Sequence, residues 1–119
     1  MMKKILFPLL ALTLMSFMVS VSHAEDQAAL EEKLAYLKDL PEISWVKFLG
    51  NDVIIGFNEH PKDLRSIINA AALHGNKAYG FGVHVWAVDA KYTNWDVWQD
   101  SAICTATARY GKIEKNTCR

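Results

Sequence analysis

Histidine is a residue type in this 119-residue chain that could bind a metal ion or take part in catalysis. Three histidines follow the amino-terminal segment, namely His60, His74 and His84. His60 and His74 stand at opposite ends of one predicted helix, about 21 Å apart at 1.5 Å per residue, so they cannot share a metal ion. No histidine lies in an HxH or HExxH pattern or beside a cluster of carboxylates. The sequence therefore predicts neither a metal site nor a bound cofactor.

His84 is the best remaining candidate for catalysis. An imidazole can act as a general base when a carboxylate orients it, and Asp89, Asp96 and Asp100 follow it in the chain. Asp89, however, lies five residues after His84 on a predicted strand, so the two side chains point to opposite faces. No serine occupies a glycine-flanked nucleophile turn. A small hydrolase built on His84 is one hypothesis, but the sequence favours a protein that is not an enzyme.

The polar segment Lys91–Ser101 is unusually rich in aromatic side chains, because it contains Tyr92, Trp95 and Trp98. One interpretation is that the two tryptophans, three residues apart, fold down and close one end of a small core. The other interpretation is a recognition loop, since tryptophan and tyrosine are frequent anchors at binding interfaces. The sequence leaves both interpretations open.

The elements that must position these residues are organised around a central helix and strand. An apolar stripe at helical spacing predicts a helix over Pro61–Gly75, with proline at its first position and glycine at its end. Ala78–Ala90 then alternates with period two, which predicts a central strand. The helix-facing side of this strand would carry Phe81, and its other side would carry His84 and Trp86.

Three further elements surround this centre. Leucines at helical spacing predict a helix over Glu25–Leu40, and Ile43–Asn58 reads as a β-hairpin that turns within residues 50–52. Ile103–Ile113 is predicted to be the last strand. The hairpin alternates in such a way that one face carries a continuous apolar set, consisting of Val46, Phe48, Val53, Ile55 and Phe57.

The predicted fold class is α+β, with the element order αββαββ. Short links on both sides of the central helix make it a crossover between parallel strands, and a hairpin lies before and after it. Four strands would then form one mixed sheet. Both helices would cover the face that carries the apolar set, which gives a two-layer sandwich.

The face of the sheet opposite the helices is the main functional prediction. It would carry a largely apolar set of side chains, consisting of Trp45, Lys47, Leu49, Ile54, His84, Trp86 and Val88. Gly56, Gly80 and Gly82 would leave its floor shallow. An exposed apolar face of this size usually marks an interface or a ligand groove. We therefore expect binding through Trp45, His84 and Trp86 on this face, together with Tyr92, Trp95 and Trp98 in the aromatic loop.

The expected partner is another protein or a small ligand. A second hypothesis gives the same face a purely structural role, in which two copies of the chain bury it in a homodimer. The two hypotheses differ in one simple observable. The homodimer has twice the mass of the monomer, whereas the binding protein is a monomer that captures something else.

The amino terminus has the three-part layout of a secretory signal peptide. Lys3 and Lys4 form a basic start, Ile5–Val21 is mostly apolar, and Ser22-His23-Ala24 supplies small residues for cleavage before Glu25. An uncleaved membrane anchor is the alternative, but the apolar core is short for a full span. The prediction is therefore a signal peptide over residues 1–24 and one small domain over residues 25–119. The location would be secreted, and periplasmic if the source is a Gram-negative bacterium.

Charge and cysteine content fit such a protein. Without Lys3 and Lys4, eleven basic and thirteen acidic residues remain, a net charge of −2. This balance predicts no attraction to nucleic acid, and no attachment to a membrane after signal cleavage. The only two cysteines, Cys104 and Cys118, would meet an oxidising compartment, so we expect them to form a structural disulfide.

The cleavage site gives the first testable prediction. Because the small residues at Ser22 and Ala24 stand at the positions that signal peptidase reads, the secreted protein should begin at Glu25. Intact-mass measurement of the secreted protein checks this. A secreted product that still carries Met1 would contradict the signal-peptide assignment.

Overall fold

The protein is described here by a computed structural model, which covers residues 27–93 and 98–119 and gives the backbone alone for Trp98 and Gln99. Residues 27–33 form helix α1, and a 3-10 helix follows at Ala35–Asp39. A single helix was expected over Glu25–Leu40, but the chain tightens after Leu34. A 3-10 helix has three residues per turn, so it keeps Leu37 on the same buried side as Leu34. No helix in the described part of the chain is long and apolar enough to cross a membrane.

The centre of the molecule is one mixed sheet, which confirms the predicted α+β class. Its strands lie in the order β1-β2-β3-β4-β5; β2 and β3 are parallel, and every other neighbouring pair is antiparallel. The strands are β1 Ile43–Leu49, β2 Asp52–Phe57, β3 Val83–Asp89, β4 Ala102–Arg109 and β5 Lys112–Asn116.

The prediction of four strands was wrong, because the expected last strand Ile103–Ile113 folds back on itself. Tyr110 and Gly111 both have positive φ, 53° and 74°, and together they make a tight turn between β4 and β5. A two-residue turn of this hand fits the twist of a β-hairpin. Tyrosine favours extended backbone, so the sequence pattern predicted a strand that continues through Tyr110.

The crossover between β2 and β3 is helix α2, Leu64–Ala78. The helix was expected to end at Gly75, but it continues for three more residues. A Cβ atom at Gly75 would lie 3.0 Å from the Leu30 side chain and 3.3 Å from the Val83 side chain. This glycine therefore allows α1 and β3 to approach α2 closely, and it does not end the helix.

The turn that follows α2 also changes the position of Phe81. The expected strand began at Ala78, but β3 begins only at Val83, after Gly82 has adopted a positive φ of 102°. Phe81 therefore lies in a loop, where 74% of its surface is exposed, and it is not a core residue. Tyr79 stays partly buried against the core and meets the Phe81 ring edge-on, with the ring centroids 6.1 Å apart.

The hydrophobic core lies between one face of the sheet and the helices α1 and α2, which is the predicted two-layer arrangement. The expected core-face residues Val53, Ile55 and Phe57 are all buried. The same face of β3 and β4 adds Val83, Val85, Ala87, Ala106 and Ala108, and α2 adds Leu64, Ile68, Ala71 and Ala72. Small residues on β4 and on α2 let the helix lie close to the sheet.

The predicted disulfide between Cys104 and Cys118 is present, with the two Cα atoms 4.9 Å apart. Both cysteines are buried in the core cluster. The Arg65 side chain donates a 2.7 Å hydrogen bond to the carbonyl oxygen of Cys118, and the Cys118 amide donates to the Asn116 side chain at 2.7 Å. The carboxyl-terminal tail is thereby fastened to β4 and to the start of α2.

We expect the double variant Cys104→Ala/Cys118→Ala to lose about 3 kcal/mol of unfolding free energy, because the bridge closes a loop of about 15 residues in the unfolded chain. Denaturant titration measures this loss. The parent protein treated with a reductant is the matched control, and it should unfold at nearly the same denaturant concentration as the variant. Equal midpoints for the variant and the oxidised parent would show that the bridge contributes nothing.

Candidate binding surface

His84 lies in the middle of a polar row on the face opposite the helices. The strand register places Asp52, His84 and Thr107 side by side on β2, β3 and β4. The His84 Nδ1 atom is 2.9 Å from the Thr107 hydroxyl oxygen. Asp52 uses one carboxylate oxygen to accept a hydrogen bond from the Trp86 indole N–H. Hydrogen bonds therefore join His84 to Thr107 within the row, and Asp52 to Trp86 outside it.

The carboxylates proposed to orient His84 are not its partners among the described residues. Asp89 accepts a hydrogen bond from the Lys91 amide at 3.1 Å, Asp100 lies in a short helix after β3, and Asp96 falls outside the described residues. Within residues 27–93 and 98–119, no three His, Cys, Asp or Glu side chains could hold a metal ion together. The His84 hydrolase hypothesis thus gains no supporting contact.

Trp45 is half-buried, and its indole lies across Gly56 on the neighbouring strand. A side chain at Gly56 would occupy the space of the Trp45 ring. The indole N–H donates a 3.0 Å hydrogen bond to the carbonyl oxygen of Ala90, just beyond the end of β3. The shallow floor that Gly56 was expected to leave open is therefore filled by the protein's own tryptophan.

Trp86 is also half-buried on this face. Its N–H donates to Asp52 at 3.0 Å, and the register places Ile54 beside it on β2. Ile54 and Val88, both expected to be exposed here, are fully buried. The exposed apolar area of the face is consequently smaller than the sequence indicated.

The aromatic loop is only partly described. Trp95 falls outside the described residues, and Trp98 begins the short helix α3, Trp98–Ser101, which lies beside β3. Tyr92 is 37% exposed, and the Lys91 ammonium lies 5.1 Å from the centre of its ring. Whether the two tryptophans close the core or form a recognition loop stays a prediction.

The largest exposed apolar side chains of the sheet lie at one of its ends, which we call the loop end. Because β3 runs parallel to β2, the turn between β1 and β2, the loop before β3 and the turn after β4 all meet there. Each of these three connections carries or adjoins one large exposed side chain. Leu49 is 46% exposed, Phe81 is 74% exposed, and Tyr110 is 91% exposed.

Asparagine side chains tie the backbones of the three connections together. Asn76, near the end of α2, is buried; it donates to the carbonyl oxygen of Tyr79 at 3.2 Å and accepts from the Gly111 amide at 2.8 Å. The Asn51 side chain donates to the carbonyl oxygen of Gly82 at 3.2 Å. The backbone carbonyl oxygen of Asn51 accepts from the His84 amide at 3.0 Å. The loop end thus holds its exposed side chains on a fixed backbone.

Sequence reasoning missed the loop end. Phe81 was placed in the core and Tyr110 inside a strand, while Leu49 was placed only on the open face. The available signal was the glycine beside each aromatic residue, at Gly80, Gly82 and Gly111. Glycine next to an aromatic residue at the end of an alternating run is typical of a turn.

A shallow groove of about 690 Å³ lies between α1 and the second half of α2. The Tyr36 hydroxyl is 3.0 Å from His74 Nδ1 in its wall, and burial raises the pKa of Tyr36 above its ordinary value. Lys33 and Lys77 line the groove together with Glu32. Its mixed charges favour no single class of ligand.

Comparison with known proteins gives no relative from which a role could be transferred. The chain matches no protein-family model, no curated protein and no solved structure. Function must therefore be inferred from the chemistry of its own surfaces.

The contact between Trp45 and Gly56 can be tested by substitution. Gly56→Ala should displace the indole and lower the unfolding free energy by about 1–3 kcal/mol, as is typical of overpacking. Tryptophan fluorescence should shift to longer wavelength as Trp45 meets water. Gly80→Ala is the matched control, because nothing lies within 4 Å of the added carbon. Equal stability and equal emission for both variants would contradict the contact.

Proposed function

We propose that this protein is a non-enzymatic binding protein of a secreted compartment, and that the loop end is its main binding surface. In a Gram-negative bacterium that compartment would be the periplasm. The observation that carries the proposal is the gathering of Leu49, Phe81 and Tyr110 at one end of the sheet with most of the two aromatic rings exposed. No chemistry is required of any residue in this role.

Exposure of a single apolar side chain is ordinary, but exposure of three large ones in or beside adjoining turns is not. Phenylalanine and tyrosine at the tips of turns gain free energy when a partner removes them from water. The hydrogen bonds of Asn51 and Asn76 hold the turns in place before binding. Binding to such a surface costs little backbone entropy, because the surface is already ordered.

The open face can extend this surface. Leu49 belongs to both the loop end and the open face, and the register places it next to Asp52, in the row of His84. Trp86 lies one row further along β3. We therefore keep His84 and Trp86 as secondary contacts. Tyr92 and the short helix that begins at Trp98 adjoin the opposite end of the sheet, so binding through the aromatic loop would use a separate site.

Site-specific photo-crosslinking tests the proposal in cells that export the protein. A benzophenone amino acid in place of Phe81 or Tyr110 should give a discrete covalent adduct on irradiation, because both side chains would lie against the partner. The same amino acid in place of Tyr92 is the matched control, since Tyr92 is exposed at the opposite end of the sheet.

The adducts separate the hypotheses. An adduct from Phe81 and Tyr110 but not from Tyr92 supports the loop end as the binding surface. An adduct from Tyr92 alone would overturn this choice and favour the aromatic loop. An adduct with the mass of two protein chains from the loop-end positions would make the partner a second copy of the chain. Irradiation without any adduct would count against a binding role.

A further inference from the structure

The sheet has two edges, and their side chains differ. β5 forms one edge, and three of its five residues are charged, namely Lys112, Glu114 and Lys115. Charged side chains along an edge strand hinder its pairing with another strand. β1 forms the other edge, and Lys47 is the only charged residue among its seven. The outer side of Ile43–Leu49, which we call the β1 edge, is therefore the less protected of the two.

The hydrogen-bond pattern shows which backbone groups of β1 point away from β2. Leu49 and Asp52 flank a two-residue turn, so they form a hydrogen-bonded pair, and such pairs then alternate along the hairpin. The Phe57 carbonyl oxygen accepts a hydrogen bond from the chain just beyond β3, which gives the same alternation from the other side of β2. The N–H and C=O groups of Val46 and Phe48 consequently face outward.

These outward groups have no hydrogen-bond partner within residues 27–93 and 98–119. The segment before β1 reaches only the start of the strand, where the Ile43 amide donates to the carbonyl oxygen of Leu40. The 3-10 helix buries Leu37 in the core, so it packs over the face of the sheet. A row of unpaired backbone groups on an edge strand is a template for one more strand.

We infer that the β1 edges of two copies of the chain pair antiparallel around a two-fold axis at Val46, so that two five-stranded sheets become one continuous sheet. Val46 is the middle residue of Ile43–Leu49, and this register therefore overlaps all seven residues of both strands. The backbone of Val46 would donate to and accept from Val46 of the second copy. Phe48 would lie opposite Ser44 of the second copy.

The side chains of β1 complement one another in this register, which is the reason for choosing a second copy as the occupant. Val46 and Phe48 are partly buried against the core, so the pairing extends the core across the axis. On the open face, Lys47 lies opposite Trp45 of the other copy, and a cation beside an indole ring is a favourable cross-strand pair. Moving the axis to Lys47 would place two lysines opposite each other, which disfavours that register.

The pairing ends with two copies and leaves the loop end accessible. Both copies use the same strand, so the contact closes, and the outer edges of the joined sheet are the charged β5 strands. Antiparallel pairing points the two loop ends in opposite directions. The inference goes beyond the proposed function, because the dimer would present two binding surfaces to the partner and does not depend on what they bind.

Sedimentation equilibrium of the purified secreted protein measures the self-association. The paired edge is smaller than a standard interface, so we expect dimers to form between about 10 µM and about 1 mM. Amide hydrogen exchange followed by NMR locates the contact. The outward amides of Val46 and Phe48 should exchange fast in the monomer and more slowly as the protein concentration rises.

The variant Val46→Pro tests the hydrogen bonds across the axis. The Val46 N–H points away from β2, so proline removes no ladder bond within the chain but removes two bonds from each dimer. The dimer dissociation constant should rise at least about 30-fold, since one net hydrogen bond corresponds to about fivefold.

The variant Ile113→Pro is the matched control. Ile113 is also β-branched and partly buried, but it lies on the β5 edge. Its N–H points outward too, because Ile113 follows Lys112, which pairs with Arg109 beside the β4–β5 turn. This variant should dimerise as the parent does. Hydrogen exchange of the parent protein tests the inference even if a proline variant does not fold.

Slower exchange at Val46 and Phe48 in a dimer that Val46→Pro weakens and Ile113→Pro keeps supports the inference. A dimer with unchanged exchange at both amides would place the contact on another surface and overturn it. A monomer over the whole concentration range would overturn it as well, and so would equal weakening by the two proline variants. Slow exchange of both amides at every concentration would also contradict it, since the edge would then be covered within one chain. None of these results changes the crosslinking test of the loop end.

Discussion

The parallel pairing of β2 with β3 is the constraint on which the rest of the structure depends. Neighbouring parallel strands cannot be joined by a tight turn, so the chain must travel back along the sheet before the second strand begins. Helix α2 makes this return and buries its apolar stripe against one face. Because α1 then packs against α2, both helices cover the same face. On the other face, side chains of the sheet itself cover part of the backbone, as Trp45 does at Gly56.

Two glycines allow close packing, one on each side of the sheet. Gly75 lets Leu30 of α1 and Val83 of β3 approach the backbone of α2. Gly56 leaves room on the opposite face for the ring of Trp45, which is fixed there by its hydrogen bond to Ala90. A domain of this size has little apolar surface to bury, so each close approach contributes noticeably to its stability. The buried disulfide adds to this by limiting the unfolded chain.

The same parallel pairing brings three connections to one end of the sheet, where the protein differs most from an ordinary surface. The buried side chain of Asn76 makes hydrogen bonds to backbone groups of two of these connections, at Tyr79 and Gly111. The side chain of Asn51 donates a hydrogen bond to the carbonyl oxygen of Gly82. Hydrogen bonds thus hold the backbone there, while the side chains of Phe81 and Tyr110 remain largely exposed to water. Order combined with apolar exposure is the reason for the binding role proposed above, because turns with a purely structural role usually carry small polar residues.

The amino-acid sequence by itself determined the α+β class, the β1–β2 hairpin, the central helix, the core face of β2 and the disulfide. All of these follow from local periodicity, turn residues or cysteine number, which can be read along the chain. It did not reveal the fifth strand, because Tyr110 has the preference of a strand residue and its positive φ is set by the pairing of β5 with β4. Nor did it reveal that Trp45 covers Gly56 or that Phe81 is exposed. Only the tertiary structure decided these points, since they depend on strand register and on turns from distant segments meeting at one end of the sheet.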